Sequence, residues 1–189
     1  METINTPAFT LHFRAPGSRP AGPIQYAIGH CEQGAILVAR STRGICAIFL
    51  GDDAAGLGDQ LRDAFPHSER VELARLPGND LDRVIRYIDQ RAVDEPMDLD
   101  IGGTPFQQRV WSALCNIPVG ETLSYTQLAQ FLGLPKAVRA VASACAANTL
   151  AIVVPCHRIV RSDGSITGYR WGPERKRDLL RWERTQCNQ

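Results

Sequence analysis

The stretch Lys136-Ala-Val-Arg139-Ala-Val-Ala-Ser143-Ala-Cys145-Ala-Ala-Asn148, then the apolar run 149–154, then Pro155-Cys156-His157-Arg158, is the part of the chain around which the rest is read. Alanine has the best helix propensity, so 137–147 is predicted to be a helix, and one with almost no side-chain bulk. The run 149–154 reads as a short buried strand that Pro155 ends. A cysteine leaving such a strand beside a histidine is a candidate nucleophile with its base at hand. A thiol attacks as its thiolate, so this chemistry asks for a sulfur held close to its anionic form. Adjacency in sequence does not make the imidazole face the sulfur, and a third group must orient the ring. A Cys-His pair taken alone is more often incidental than catalytic.

Just before this stretch, Gly103-Thr104-Pro105 opens a helix, with Thr104 as N-cap and Pro105 at the first helical position. Phe106, Val110, Trp111 and Leu114 line one face, and Ile117-Pro118 closes it. Ser124 begins a second helix carrying Tyr125, Leu128, Ala129 and Leu132, which Gly133-Leu134-Pro135 breaks. Two short helices around a glycine-containing turn, 124–132 and 137–147, outline a helix-turn-helix. A helix that reads the major groove normally carries long polar side chains, and the second helix offers only Arg139 and Ser143. Its slim profile suits a narrow groove, although composition alone favours a core helix packed closely on a neighbour.

Further toward the amino terminus, Leu81, Val84, Ile85 and Ile88 repeat at helical spacing, as do Leu57, Leu61 and Phe65. Residues 25–31, 35–41 and 44–50 read as strands joined by Glu32-Gln33-Gly34 and Thr42-Arg43-Gly44, an antiparallel meander, with 97–101 as one more short strand. Residues 1–23, with Pro7, Pro16, Gly17, Pro20, Gly22 and Pro23, read as a tail or linker. The expected class is α/β (α+β): a sheet-plus-helix structural domain over 24–101 and a mostly helical domain with the helix-turn-helix over 102–189.

The chain has 189 residues, 44% hydrophobic and 22% charged, the balance of a globular protein. The net charge of +1 is unevenly spread: residues 1–135 hold 11 Lys/Arg against 16 Asp/Glu, and 136–189 hold 10 against 4. That asymmetry points to an anionic partner for the carboxyl-terminal part, or to a solvated helix face. No apolar run approaches a membrane span and no signal-peptide pattern begins the chain, so a cytoplasmic location without membrane contact is expected. Six cysteines (Cys31, Cys46, Cys115, Cys145, Cys156, Cys187) contain no CxxC pair, and His30 beside Cys31 lacks a second ligand pair, so no metal is expected. Cys46 and Cys145 read as small buried hydrophobes. No heptad is present, and a monomer is expected.

Pro155-Cys156-His157-Arg158, with Asn148 eight residues before the cysteine and Gly168-Tyr169-Arg170-Trp171-Gly172 after it, resembles the O6-alkylguanine-DNA alkyltransferase family. Segment 137–148 is similar in particular to the carboxyl-terminal half of its bacterial Ada branch, and the likeness extends over roughly 24–183. The resemblance implies irreversible, once-only transfer of an alkyl group from O6 of guanine in duplex DNA to Cys156, with O4-alkylthymine as a further substrate and no cofactor. It implies His157 as base acting through a water, Glu183 as the carboxylate orienting it, and Asn148 as shaping the turn between helix and strand. Tyr125 would favour base rotation and protonate the leaving guanine. Arg139 would fill the gap in the base stack, with Ala137, Ala140 and Ser143 also at the DNA, and Ile159, Tyr169 and Cys145 would line the base pocket. Arg170 stands where some relatives have a small residue. The zinc ligands of some relatives, and Ada's amino-terminal half with its phosphotriester repair and transcriptional control, have no counterpart. A non-reacting binder of alkylated DNA is the alternative, disfavoured because such proteins lack the cysteine. A cysteine hydrolase or a sequence-specific regulator would turn over or dimerise instead.

Overall fold

The structure, a computed structural model, describes residues 3–5, 8–90, 94–166 and 168–186. Cys187 lies outside the described residues. The chain divides into two compact units, Met1–Thr104 and Pro105–Gln189.

In the first unit the expected meander is present as β3 (Ile24–Cys31), β4 (Gly34–Ser41) and β5 (Gly44–Gly51), paired antiparallel in turn. The helices α1 (Leu57–Ala64) and α2 (Asp80–Gln90) follow, with the short strand β6 (Arg70–Glu72) between them. Strand β7 (Met97–Ile101) also forms where predicted. The amino-terminal stretch corrects the reading, because part of the expected tail is sheet. Strands β1 (Thr3–Asn5) and β2 (Phe9–Phe13) extend a seven-stranded sheet in the order β1-β2-β7-β5-β4-β3-β6. Strand β2 runs parallel to β7, from Phe9 opposite Met97 to Phe13 opposite Ile101. Phe9, Leu11 and Phe13 alternate into the core, and their burial outweighs the local disorder that the surrounding prolines and glycines suggest. The boundary also falls later than 101/102. Arg14 N–H donates to the Ile101 carbonyl, and a side chain at Gly102 would collide with the Arg14 guanidinium, so 102–104 stay with the sheet.

The second unit holds α3 (Pro105–Cys115), β8 (Leu123–Ser124), α4 (Tyr125–Phe131), α5 (Val138–Ala146), β9 (Ile159–Val160) and α6 (Pro173–Gln186). Local chemistry sets the ends of α4. Ser124 Oγ accepts from Gln127 N–H at 3.1 Å, and Gln127 Oε1 accepts from Ser124 N–H at 2.7 Å, which is a complete capping box. At the other end Gly133, at φ 71°, donates to Gln130 O while Leu134 donates to Ala129 O, a Schellman stop that turns the chain into α5. Helix α5 resolves the ambiguity of its composition by using both faces. Val141, Ala144 and Cys145 are buried, with Trp111 Nε1 of α3 donating to the Ala144 carbonyl at 2.9 Å, while Arg139, Ala140, Ser143 and Ala146 stay exposed.

The expected strand over 149–154 does not exist. Leu150 to Val154 are buried, as predicted, but in consecutive turns, with Val154 N–H donating to Leu150 O and Ile152 at φ 68°. A strand is unnecessary because Asn148 supplies the missing partners. Its Nδ2 donates to the carbonyls of Leu150 (3.2 Å) and Val154 (2.8 Å), and its Oδ1 accepts from Leu150 N–H at 2.8 Å. Cys156–Arg158 then form a single 3-10 turn.

Candidate active site

Two short parallel strands assemble the site. Leu123 pairs with Ile159 and Ser124 with Val160, so the start of α4, where Tyr125 sits, lies beside the chain leaving Cys156. A cavity of about 330 Å³ is lined by Tyr125, Ala142, Cys145, Ala146, Cys156, Gly168, Tyr169 and Arg170. Four residues expected there, Tyr125, Cys145, Cys156 and Tyr169, are thus brought together. The fifth, Ile159, is buried and is not among the lining residues; its carbonyl accepts from the Lys176 ammonium. The volume is at the low end for small-ligand pockets.

Cys156 is buried, and its sulfur accepts from Asn148 Nδ2 at 3.2 Å. Burial pushes the thiol up to about 11, against the opposing pull of the Asn148 amide, the positive charge of Lys176, its own backbone and Arg170. This corrects the expectation of a sulfur held near its anion: at neutral pH the resting group is a thiol, so deprotonation belongs to the reaction. Cys145, in the same wall, is pushed up to about 12 by burial and by Cys156. Burial likewise takes the Tyr125 hydroxyl up to about 12, so it remains a proton donor at any physiological pH.

Behind the sulfur, His157 Nε2 lies 3.0 Å from Glu183 Oε1, both side chains fully buried. Burial alone would raise the Glu183 carboxyl, but hydrogen bonds from His157 and Arg158, and their charges, hold it well below the usual carboxylate range. An ionised carboxylate only accepts, so Nε2 carries the ring proton and Nδ1 is the basic nitrogen. The Tyr169 ring meets His157 edge-on at 6.5 Å and Trp171 at 5.2 Å, closing one side.

Sequence reasoning missed how the carboxylate is held. Arg158 donates from Nη2 to Glu183 Oε1 at 2.7 Å and from Nε to Oε2 at 3.0 Å, and Gly120 N–H adds a bond at 3.3 Å. Lys176 is equally buried, and burial lowers its pKa. The signal was present in α6: Lys176, Leu179, Leu180 and Glu183 repeat at helical spacing and are all buried, so the two charged residues belong to the apolar stripe. Among the expected DNA-facing residues, Arg139, Ala140 and Ser143 lie on the exposed face of α5, and Ala137 is half-buried at its amino-terminal cap. Among the described residues no group of His, Cys, Asp or Glu is placed to hold a metal ion, and no helix is long and apolar enough to cross a membrane.

Residues 105–185 match the model of the 6-O-methylguanine DNA methyltransferase DNA-binding domain. The chain is also 33% identical to the O6-methylguanine methyltransferase of Mycobacterium tuberculosis, whose crystal structure superposes with a TM-score of 0.69 over 86% of this chain and 93% of that one. This protein belongs to the methylated-DNA–protein-cysteine methyltransferase family. A family member from Salmonella typhimurium is 47% identical over 116 residues, 61% of this chain and 67% of its own. The bifunctional transcriptional activator/DNA repair enzyme Ada of Escherichia coli K12 is 53% identical over 171 residues, 90% of this chain but 48% of its own. The chain thus spans about half the length of the Ada-type relatives that it matches.

Proposed function

We propose that this protein repairs duplex DNA directly, moving the alkyl group of O6-alkylguanine to its own Cys156 in a single irreversible event. The observation that carries the reading is the position of the Cys156 sulfur: it lies in the wall of a cavity that α5 also lines, and α5 exposes Arg139 on its other side. A relative in the same family, at 32% identity and a TM-score of 0.68, has been crystallised with DNA. The basic charge of 136–189 and the small side chains along α5 suit backbone contact in a minor groove, independent of sequence. That is what damage occurring anywhere in a genome requires.

A thiol cannot reach O6 inside a base stack, so the nucleotide must rotate out, at a cost of a few kcal/mol. Arg139 offsets part of that cost by entering the gap. With the base in the cavity, His157 Nδ1 takes the thiol proton through a water, and Glu183 stabilises the imidazolium that forms. The sulfur forms its bond to the alkyl carbon as the bond from that carbon to O6 breaks. The electron pair stays with guanine, which Tyr125 protonates. The thioether has no route back, so each molecule acts once. The high resting pKa of the thiol keeps the sulfur unreactive until a base fills the cavity and displaces water from it.

The test is mass spectrometry of the protein after reaction with an O6-methylguanine duplex. One methyl should appear on the peptide containing Cys156 in a one-to-one ratio. Cys156→Ala should abolish the transfer and keep DNA binding. Methylation of another residue, or many turnovers per molecule, defeats the proposal.

A further inference from the structure

Arg170 is the charged residue that the mechanism leaves unused. It lines the same cavity as Cys156, with Nη1 3.4 Å from the Asn148 carbonyl, so the guanidinium lies close to the residue that holds the sulfur. The remaining wall is made of Ala142, Cys145, Ala146 and Gly168 with the two tyrosines, and contains no carboxylate. A second cation, Lys176, is buried behind it. The carboxylate attached to this machinery, Glu183, is already engaged by Arg158, His157 and Gly120 and does not line the cavity. The acceptor sulfur therefore faces a space whose walls are small, apolar and positively charged. Burial lowers the Arg170 pKa while the Cys156 charge raises it, which places the two groups in each other's field.

We infer that Arg170 makes this cavity selective for O6 substituents that carry a negative charge, carboxymethyl being the smallest. The inference rests on the alkyl-transfer reading and names a substrate class for it. A carboxylate one bond from the carbon under attack repels the thiolate forming on Cys156, and in a cavity without a cation it would react more slowly than a neutral group of its shape. A guanidinium at the wall reverses this by pairing with the carboxylate. In the step, the Cys156 sulfur bonds to the methylene carbon, the carbon–O6 bond breaks, and the thiol proton ends on the guanine. The products are S-carboxymethylcysteine, still anionic beside Arg170, and unmodified guanine.

Single-turnover rates on duplexes carrying O6-methylguanine, O6-carboxymethylguanine and the neutral isostere O6-carbamoylmethylguanine decide the matter. The wild-type protein should transfer carboxymethyl at least as fast as carbamoylmethyl. In Arg170→Met that ratio should fall about tenfold, whatever happens to both rates together, and Arg170→Lys should keep most of it. A wild-type protein that transfers methyl but leaves carboxymethyl in place overturns the inference, as does an unchanged ratio in Arg170→Met. Failure to transfer methyl at all would instead defeat the parent reading.

Discussion

Glu183→Gln separates a structural carboxylate from a merely nearby one. In the wild type its two oxygens accept from Arg158 at 2.7 and 3.0 Å, from His157 at 3.0 Å and from Gly120 at 3.3 Å, with no exposure to solvent. The glutamine is nearly isosteric but neutral, and its amide turns a donor toward a donor. The Arg158 guanidinium is then left buried without its anion, which costs about 3–5 kcal/mol. Against a typical domain stability of about 5–15 kcal/mol, that is a large share. Urea unfolding followed by tryptophan fluorescence is the assay, and it is clean here because Trp111, Trp171 and Trp182 all belong to the second unit. With m near 1–1.5 kcal/mol/M for a unit of this size, the midpoint should fall by about 2–4 M. Arg158→Met combined with Glu183→Met should recover much of the loss, because neither charge remains buried. Acid gives a second check with a definite sign. A carboxyl whose folded pKa lies below its unfolded value contributes stability above the usual glutamate value of 4.5 and loses it as the pH falls toward the folded pKa. The gap between wild type and Glu183→Gln should therefore be constant from pH 7 to 5 and shrink below 4.5. A loss under about 1 kcal/mol, the value of a solvated pair, or a gap indifferent to acid, would refute the reasoning.

Two further outcomes concern the chemistry. Because burial holds the Cys156 thiol at about 11, its alkylation by iodoacetamide in the DNA-free protein should rise about tenfold per pH unit from 7 to 10, read by mass spectrometry; a plateau below pH 8 would mean the thiolate is already formed. Arg139→Ala should slow repair of a paired O6-methylguanine about tenfold or more while leaving reaction with the free base nearly unchanged, since only the duplex has a gap to fill; equal slowing on both would remove the stacking role.

The strained turn at Ile152 and the thiol at Cys156 are two results of one construction. A β-branched residue in the left-handed region costs about 1–3 kcal/mol, and it persists because Asn148 ties down Leu150 and Val154 on either side of it. The same amide reaches the sulfur. Asn148 thus joins the end of the DNA-facing helix to the reactive atom.

What could be read in the amino-acid order was whatever neighbours along the chain decide. The limits of α4 follow from Ser124, Gln127 and Gly133, because a capping box and a left-handed stop are satisfied within one turn of helix. The Cys156–His157 pair and the exposed Arg139 were equally legible, since motif and periodicity are local. What remained hidden depended on groups far apart in sequence. Phe9–Phe13 became a strand only when β7 offered it a parallel edge. Segment 149–154 gave up the strand suggested by its composition once a single side chain met its backbone needs. The buried network of Arg158 and Glu183, the buried Lys176, and the elevated thiol of Cys156 exist because folding removes water from these groups, and the energy of a charge depends on what replaces that water.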